Sequence, residues 1–401
     1  MRTALVIGAG VAGPAAALFL VRAGWDVELF EADSVPDPFE GLFLNVATNG
    51  LAVLEQLGLR ERLVSHGRRA PHMILRSRTG RMLGTVPNGP AGDLERGSVI
   101  VRRGALHEVL REGAAAAGVP LSSGARLVSI DETATSVRAT FADGRTAEGD
   151  ILIGADGIGS PTRRWIDPSA PEPRYSGLVG TGGFARVPGL EPTPDTQHFI
   201  FGARSFFGYL VRDDGTVYWF ANMTTPLPER GSLRGDTGAE WLARLRDLQS
   251  DDPFPVPQIL ENTNGEVGAY PIIDLAGVRS WSRGRVVAIG DAVHATSPSS
   301  GQGASLALED AITLAMCLRD LPDPASAFAE YQRLRRPRAE AVVKYARAID
   351  SRKRVTKSRL GIAIRDWMMP RFLENAAHDT RNDWLYNHEI AWDQPVPSRR
   401  P

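Results

Sequence analysis

Three glycines near the start of the chain constrain its fold more than any other feature. Residues 4–31 read ALVIGAGVAGPAAALFLVRAGWDVELFE: an apolar run, then Gly8, Gly10 and Gly13 in G-x-G-x-x-G spacing, then a helical pattern of small and apolar residues. A turn at Gly24 leads to a second apolar stretch ending in the acid Glu31. This order predicts a strand–helix–strand unit. Gly8 permits the tight turn off the strand, Gly10 lets backbone approach a pyrophosphate, and Gly13 lets the helix lie close to the sheet. The free N–H groups of Val11 and Ala12 at the positive end of that helix then face phosphate. Glu31, followed by Ala32, stands where a carboxylate accepts both hydroxyls of an adenosine ribose and repels a 2′-phosphate. The nucleotide expected here is FAD or NAD rather than NADP.

With 401 residues and 43% apolar content the chain has core for one large or two medium units. A net charge of −1 predicts no general attraction to nucleic acid or anionic membrane. Three lysines (Lys344, Lys353, Lys357) against 43 arginines read as genomic bias. The single cysteine, Cys317, lies in an apolar helical pattern and has no partner for an internal disulfide. No apolar stretch reaches bilayer-spanning length and no signal peptide is recognisable, so a cytoplasmic protein is expected. No metal-ligand cluster stands out.

Beyond a loop rich in proline and acid at 34–40, a helix is predicted over 49–57, ended by Gly58. Residues 73–86 alternate like a hairpin turning at Thr79-Gly80, and 99–110 read as a strand running into a helix with Arg103 at the junction. Paired strands follow over 121–149. A buried strand at 151–154 then delivers Asp156-Gly157 at its carboxyl end, where open α/β sheets keep their ligand crevice. From 171 to about 273, short aromatic and β-branched runs predict an antiparallel sheet forming a wall over the cofactor. Phe206, Phe207, Tyr209, Tyr218 and Trp219 are pocket candidates there, at least half of them core by strand alternation. Residues 285–315 give a strand ending at Gly290-Asp291, a loop through Pro298, and a helix starting at Gly301-Gln302-Gly303. Asp291 suits a sugar-alcohol hydroxyl, and the bare N–H groups of the helix start favour negative charge on a bound ring system. That second site suits an isoalloxazine with its ribityl chain and has no use in a nicotinamide enzyme.

These three motifs, in this order, make the chain resemble class A flavoprotein monooxygenases of the para-hydroxybenzoate hydroxylase type, and within them the zeaxanthin epoxidase, urate and salicylate hydroxylase subgroup. The resemblance runs from Arg2 to about Ala391. It implies an α/β fold: a Rossmann-like, GR2-type FAD-binding domain (1–170 and 276–350), an inserted antiparallel substrate domain (171–275), and a C-terminal helical segment (351–401) packed on the body. It adds Arg103 and Leu127 as FAD contacts, and Gly41 and Leu42 beside the isoalloxazine. There this chain has Asn45-Val46-Ala47-Thr48-Asn49 in place of the family's Pro-Asn pair. It implies bound FAD, transient NADPH or NADH, O₂, and a 4a-hydroperoxyflavin that oxygenates an electron-rich aromatic or polyketide-like molecule. No side-chain nucleophile is needed. His294 reads equally as a proton relay or as polar filler, and Arg204 and Tyr209 are candidate substrate contacts. A homodimer is left open. Arg333, Arg335, Arg336 and Arg338 read as a solvated helix face. Trp384, Tyr386, His388 and Trp392 are expected to pack back on the body. Competing readings are a halogenase, whose W-x-W-x-I-P motif is absent, a nicotinamide dehydrogenase, a flavin-binding regulatory module, and a non-redox cyclase on the same scaffold.

Overall fold

The computed structural model describes residues 2–34, 42–93, 96–202, 204–227, 238–264, 267–353, 359–373 and 380–396. Val286–Ala288, Ile151–Gly154, Thr3–Ile7 and Asp26–Phe30 lie side by side and parallel. Leu121–Ser122 extends one edge in parallel and Ser282–Arg283 closes the other antiparallel. A parallel sheet covered on both faces demands unbroken apolar runs, and Ala4 to Val6, Ile151 to Ile153 and Val286 to Ala288 are fully buried. The register aligns the strand ends: Ile7 pairs with Gly154 and Phe30, and Gly154 with Ala288.

The helix Ala12–Arg22 lays its small residues on this sheet and against Gly303–Asp320. That later helix is buried from Ser305 to Leu318, because Thr48–Gln56 and Pro324–Lys353 cover its other sides. A helix enclosed on all sides carries apolar or paired residues all round. Cys317 lies within it, and burial pushes its thiol up to about 12.

Thr146–Gly149, Val137–Phe141 and Leu127–Glu132 form one small antiparallel sheet, and Phe43–Val46, Val99–Arg102 and Arg68–Arg69 another. The third layer is a seven-stranded sheet in the order Gly268–Asp274, Arg174–Arg186, Thr216–Thr224, Phe206–Val211, Thr196–Phe201, His72–Ser77 and Met82–Pro87. Every pairing is antiparallel except Thr196–Phe201 with His72–Ser77. The wall thus takes two strands from 72–87, outside the 171–275 stretch that sequence texture delimits. Its outer face buries Phe207, Tyr209, Val217 and Trp219 against Trp241 and Leu245 of Gly238–Leu248 and Val256 and Ile259 of Val256–Glu261.

The tail folds back at two anchors. Trp392 is buried and stacks on Phe19 at 5.2 Å, and the Tyr386 carbonyl accepts from the Thr48 hydroxyl at 2.7 Å. Trp384 stays exposed with its ring at Tyr345. Among the described residues no helix is long and apolar enough to cross a membrane.

Candidate active site

Because the four parallel strands end in register, Gly8, Glu31, Ala155-Asp156 and Ile289-Gly290 leave the sheet along one edge. The glycines there fall into two kinds. At Gly8, with φ +105°, a Cβ would lie 2.3 Å from the Ala155 carbonyl oxygen, and at Gly13 it would lie 1.8 Å from that of Gly8. Protein alone accounts for both. At Gly10 no protein atom lies within 4 Å of the position a Cβ would take, so the small residue there leaves space for something other than protein. A pyrophosphate lying along the backbone fits that space.

Charge follows the same geometry. Ala12–Arg22, preceded by Val11, and Gly303–Asp320, preceded by Gln302, both begin without a side-chain cap or a first-turn acid, so their unsatisfied N–H groups favour negative charge. Glu31 accepts from the Ala9 N–H at 2.7 Å through Oε2 and from the Asp33 N–H at 3.1 Å through Oε1. The half-buried Ala32 lies between them, and the Ala9 carbonyl accepts from Arg111 Nε at 2.7 Å. Arg103 starts its helix by donating its N–H to the Leu42 carbonyl at 3.0 Å. Asp291 is exposed on the cleft side yet crowded by protein. Lost hydration raises its carboxyl, the charges of His294 and Arg103 oppose that, and Asp310 adds to it. No hydrogen bond to the Asp291 side chain is present among the described residues, which leaves it available to a sugar hydroxyl.

Other members of the sequence-derived set have structural duties. The Asp156 carboxylate accepts from the Thr162 N–H at 3.0 Å and the Thr162 hydroxyl at 2.6 Å, anchoring the short helix Pro161–Ile166. Burial raises this carboxyl. Asp156 Oδ1 has no hydrogen-bond partner among the described residues, and Gly157 again faces space free of protein. Arg163, 1% exposed, donates to the Ala292 carbonyl at 2.8 Å and the Ile158 carbonyl at 2.9 Å, so one guanidinium fastens the second motif to the third. Leu127 is buried at the start of its strand. Pro298 opens a 3-10 turn that ends at Gly301, whose carbonyl accepts from Asn45 Nδ2 at 3.2 Å. Gln302 Oε1 accepts from Asn49 at 3.0 Å, and Gly303 begins the helix. The segment 45–49, which departs from the family pattern, therefore meets the glycine loop directly. Gly41 lies outside the described residues.

Beneath Gly290-Asp291 lies a buried ionic network. Asp310 Oδ2 accepts from the Gly290 N–H at 2.9 Å and lies 2.5 Å from His294 Nε2, while Arg335 Nε donates to Oδ1 at 2.7 Å. Burial would push Asp310 up, but His294 and Arg335 outweigh it and hold the carboxyl at about 2. Glu309 lies 2.6 Å from Arg335 and accepts from Arg338 at 2.8 and 2.9 Å and from Asn49 at 2.6 Å. His294 is thus a buried brace under the third motif, its ring 5.2 Å from that of Trp281. The arginine run is not a uniform solvated face. Arg333 and Arg336 pair with Glu330 and Glu340 near the surface, whereas Arg335 and Arg338 turn inward to Glu309.

Two substrate-contact candidates are also placed elsewhere. Arg204 is exposed and donates to the Leu248 carbonyl at 3.1 Å and the Ser250 hydroxyl at 3.1 Å. Tyr209 belongs to the outer core and stacks on His198 at 4.9 Å, because strand alternation sends it to the side the helices cover. The inner face carries Phe199, Phe206, Phe220 and Asn222. Its three phenylalanine rings lie 5.6–6.0 Å apart. A Cβ at Gly182 would strike Leu42 at 2.4 Å, and one at Gly180 would strike Tyr270 at 2.8 Å. Leu42 is the residue whose carbonyl receives Arg103, so this inner face adjoins the cleft at the strand ends. Lys353 Nζ reaches the same face, donating to Asn222 Oδ1 at 3.1 Å. Phe199, Phe220, Asn222 and Lys353 escaped sequence reasoning: the first three lie on strands the sequence pattern marks, but that pattern does not give the face they occupy. A separate cleft of about 410 Å³ is lined by His66, Arg102, Glu108, Arg212 and Tyr218. It includes none of the strand-end motifs.

A family model described as FAD binding domain matches residues 1–346. Aurachin C monooxygenase/isomerase from Stigmatella aurantiaca is 30% identical over 345 residues, covering 85% of this chain and 87% of that protein. 3-Amino-4-hydroxybenzoate 2-monooxygenase from Streptomyces cremeus is 32% identical over 355 residues, covering 86% of each. The crystal structure of a variant of HpxO from Klebsiella pneumoniae complexed with FAD superimposes with a TM-score of 0.80 at 26% identity, covering 95% of each chain. The sheet edge built for a dinucleotide, the aromatic wall over it and these likenesses agree: the chain belongs to the FAD binding domain family and is a flavin-dependent monooxygenase of class A.

Proposed function

We propose that this chain uses bound FAD, transient NADH or NADPH, and O₂ to hydroxylate or epoxidise an electron-rich aromatic or polyketide-like small molecule. One oxygen atom enters the substrate and the other leaves as water, with the reduced nicotinamide supplying two electrons. The observation that carries this reading is the inner face of the wall, where Phe199, Phe206 and Phe220 present rings beside the cleft. Such a surface takes up a flat apolar ring and excludes water from it.

FAD, when bound, supplies hydride acceptance and activation of O₂. The chain's residues bind and orient it. Gly10, Val11 and Ala12 receive the pyrophosphate with Arg103 and the Asp156-Gly157 backbone, on a turn that Gly8 and Gly13 make possible, Glu31 and Ala32 hold the adenosine ribose, and Leu127 packs by the adenine. Gly290 and Asp291 hold the ribityl chain. Leu42, Pro298, Gly301, Gln302 and Gly303 border the ring, where the uncapped helix end stabilises negative charge. His294, through Asp310, keeps Gly290 in position. In this reading 1–170 and 276–350 form the flavin unit, 171–275 supplies most of the wall, and 351–401 is a C-terminal segment on the body.

A second reading, a cyclisation or rearrangement without net redox change, draws support from the relative whose name joins monooxygenase to isomerase. The test is to purify the protein, record its visible spectrum, and follow NADH and NADPH oxidation with a panel of phenols and polycyclic aromatics under labelled O₂. The expected result is a yellow protein whose reductant consumption rises with one compound, with one labelled oxygen in the product. Bound FAD that neither nucleotide reduces with any compound would overturn the oxygenase reading in favour of the non-redox one.

A further inference from the structure

Lys353 closes the helix Pro324–Lys353 against the inner face of the wall. Its Nζ lies 4.5 Å from the ring centroid of Phe206 and 5.5 Å from that of Phe220, and donates to Asn222 Oδ1 at 3.1 Å. All three partners project from the face that adjoins the cleft. One turn earlier, the buried Asp350 accepts from the hydroxyls of Ser297 and Ser299 at 2.9 and 2.6 Å through Oδ1. Those serines flank Pro298, so the helix end joins the cleft loop to the wall and delivers an ammonium beside both.

That ammonium is costly in its position. Burial pulls the amine down to about 8, and the charge of Asp350 only partly opposes the loss. A tether between helix and wall needs a donor for the Asn222 oxygen but no charge, because a neutral amide such as glutamine would supply that donor without giving up the hydration of an ion. An ammonium has three N–H donors; among the described residues the Asn222 oxygen takes one, and ring faces attract its charge without accepting a full hydrogen bond. Lysine is also a compact point charge, unlike the forked guanidinium this chain uses at 43 other positions.

We propose that Lys353 is the specificity-determining cation of the substrate pocket, binding an anionic oxygen carried by the aromatic substrate, either a carboxylate or a ring oxyanion. This rests on the monooxygenase reading for the pocket's role. Holding that oxygen at the helix end fixes which edge of the ring turns toward the cleft, while Phe206 and Phe220 hold its face.

The experiment titrates FAD-loaded protein with benzoate, salicylate, 4-hydroxybenzoate and 1-hydroxy-2-naphthoate, each beside its neutral carboxamide, and follows perturbation of the flavin spectrum. Wild type is expected to bind at least one acid tenfold or more tighter than its carboxamide. Lys353→Met should abolish the difference while retaining FAD and the melting temperature within a few degrees, and Lys353→Arg should restore part of it. Where Lys353→Met loses FAD, the comparison rests on Asn222→Leu, which frees the ammonium and should change the acid-to-carboxamide ratio at least threefold. A preference for neutral probes, equal binding of the pairs, no uptake of any acid, or an acid preference that survives Lys353→Met would overturn the proposal. Acids that perturb the flavin through Lys353, together with no aromatic compound stimulating NADH or NADPH oxidation, would instead overturn the oxygenase reading and leave the lysine assignment standing.

Discussion

The two faces of the seven-stranded sheet start from one sequence pattern and end with opposite purposes. Along Phe206–Val211 every residue is buried, yet odd positions point to the covering helices, while Phe206 and Gly208 lie toward the cleft and Leu210 joins a small core with Ala70, Ile100 and Tyr218. Outside, Trp219 is fully buried and stacks on Phe207 at 5.7 Å, and two helices complete the packing. Inside, bulk has been removed on alternate positions: Gly180, Gly182 and Gly208 each stand where a Cβ would meet a side chain within 2.8 Å. One face is filled by the chain itself. The other lets Leu42, Tyr270 and Phe220 lie against bare backbone and gathers an amide and an ammonium among rings.

The largest effect should come from the filled face. Trp219→Ala removes a core ring from a site that cannot collapse and should cost about 3–5 kcal/mol in urea unfolding, with ligand preference unchanged in the folded fraction. A matching change in preference would mean that the faces are not separate. On the inner side, Gly208→Val drives a side chain into the Phe220 ring, which would lie 2.3 Å from the new Cβ. It should cost about 1–3 kcal/mol and weaken ring binding in the same flavin titration.

The outer face also carries a pH signature. Burial, helped by Arg76, holds His198 at about 4 against the usual 6.5, so the folded state binds fewer protons than the unfolded chain in that window. Its contribution is complete above pH 6.5 and is lost as pH falls toward 4. Urea unfolding at pH 7, 5.5 and 4.5 should show a slope that His198→Phe reduces by roughly 1–3 kcal/mol across the window. The smallest effect on stability belongs to Phe220→Leu, below about 1.5 kcal/mol. Its signature is functional: more reductant consumed per product formed, read as peroxide release. Unchanged coupling would remove Phe220 from the substrate wall.

Much of the flavin side was legible in the sequence because its demands are local. Gly8 and Gly13 are required by backbone oxygens a few residues away or at the adjoining strand end, and spacing records that. The wall was legible as a sheet but not in phase. When both faces of a strand are apolar, nothing in the linear pattern says whether Phe206 or Tyr209 faces the cleft. The arginine run misled for a related reason: RLRRPRAE looks evenly charged in one dimension, but helical period turns 335 and 338 inward and 333 and 336 outward. Their partner Glu309 lies on the preceding helix, and Lys353 lies 131 residues from Asn222. Pairings at that separation leave no trace in composition or spacing.

The two wall strands drawn from residues 72–87 bear on how this enzyme could be recombined with its relatives. Exchange of 171–275 alone would set five foreign strands against two resident ones, across the parallel junction of Thr196–Phe201 with His72–Ser77. Six residues on each side would have to match in register at that seam, in a pairing no hairpin turn enforces. The unit of exchange is therefore discontinuous, and a chimaera that moves both segments together should fold where a single-segment graft fails.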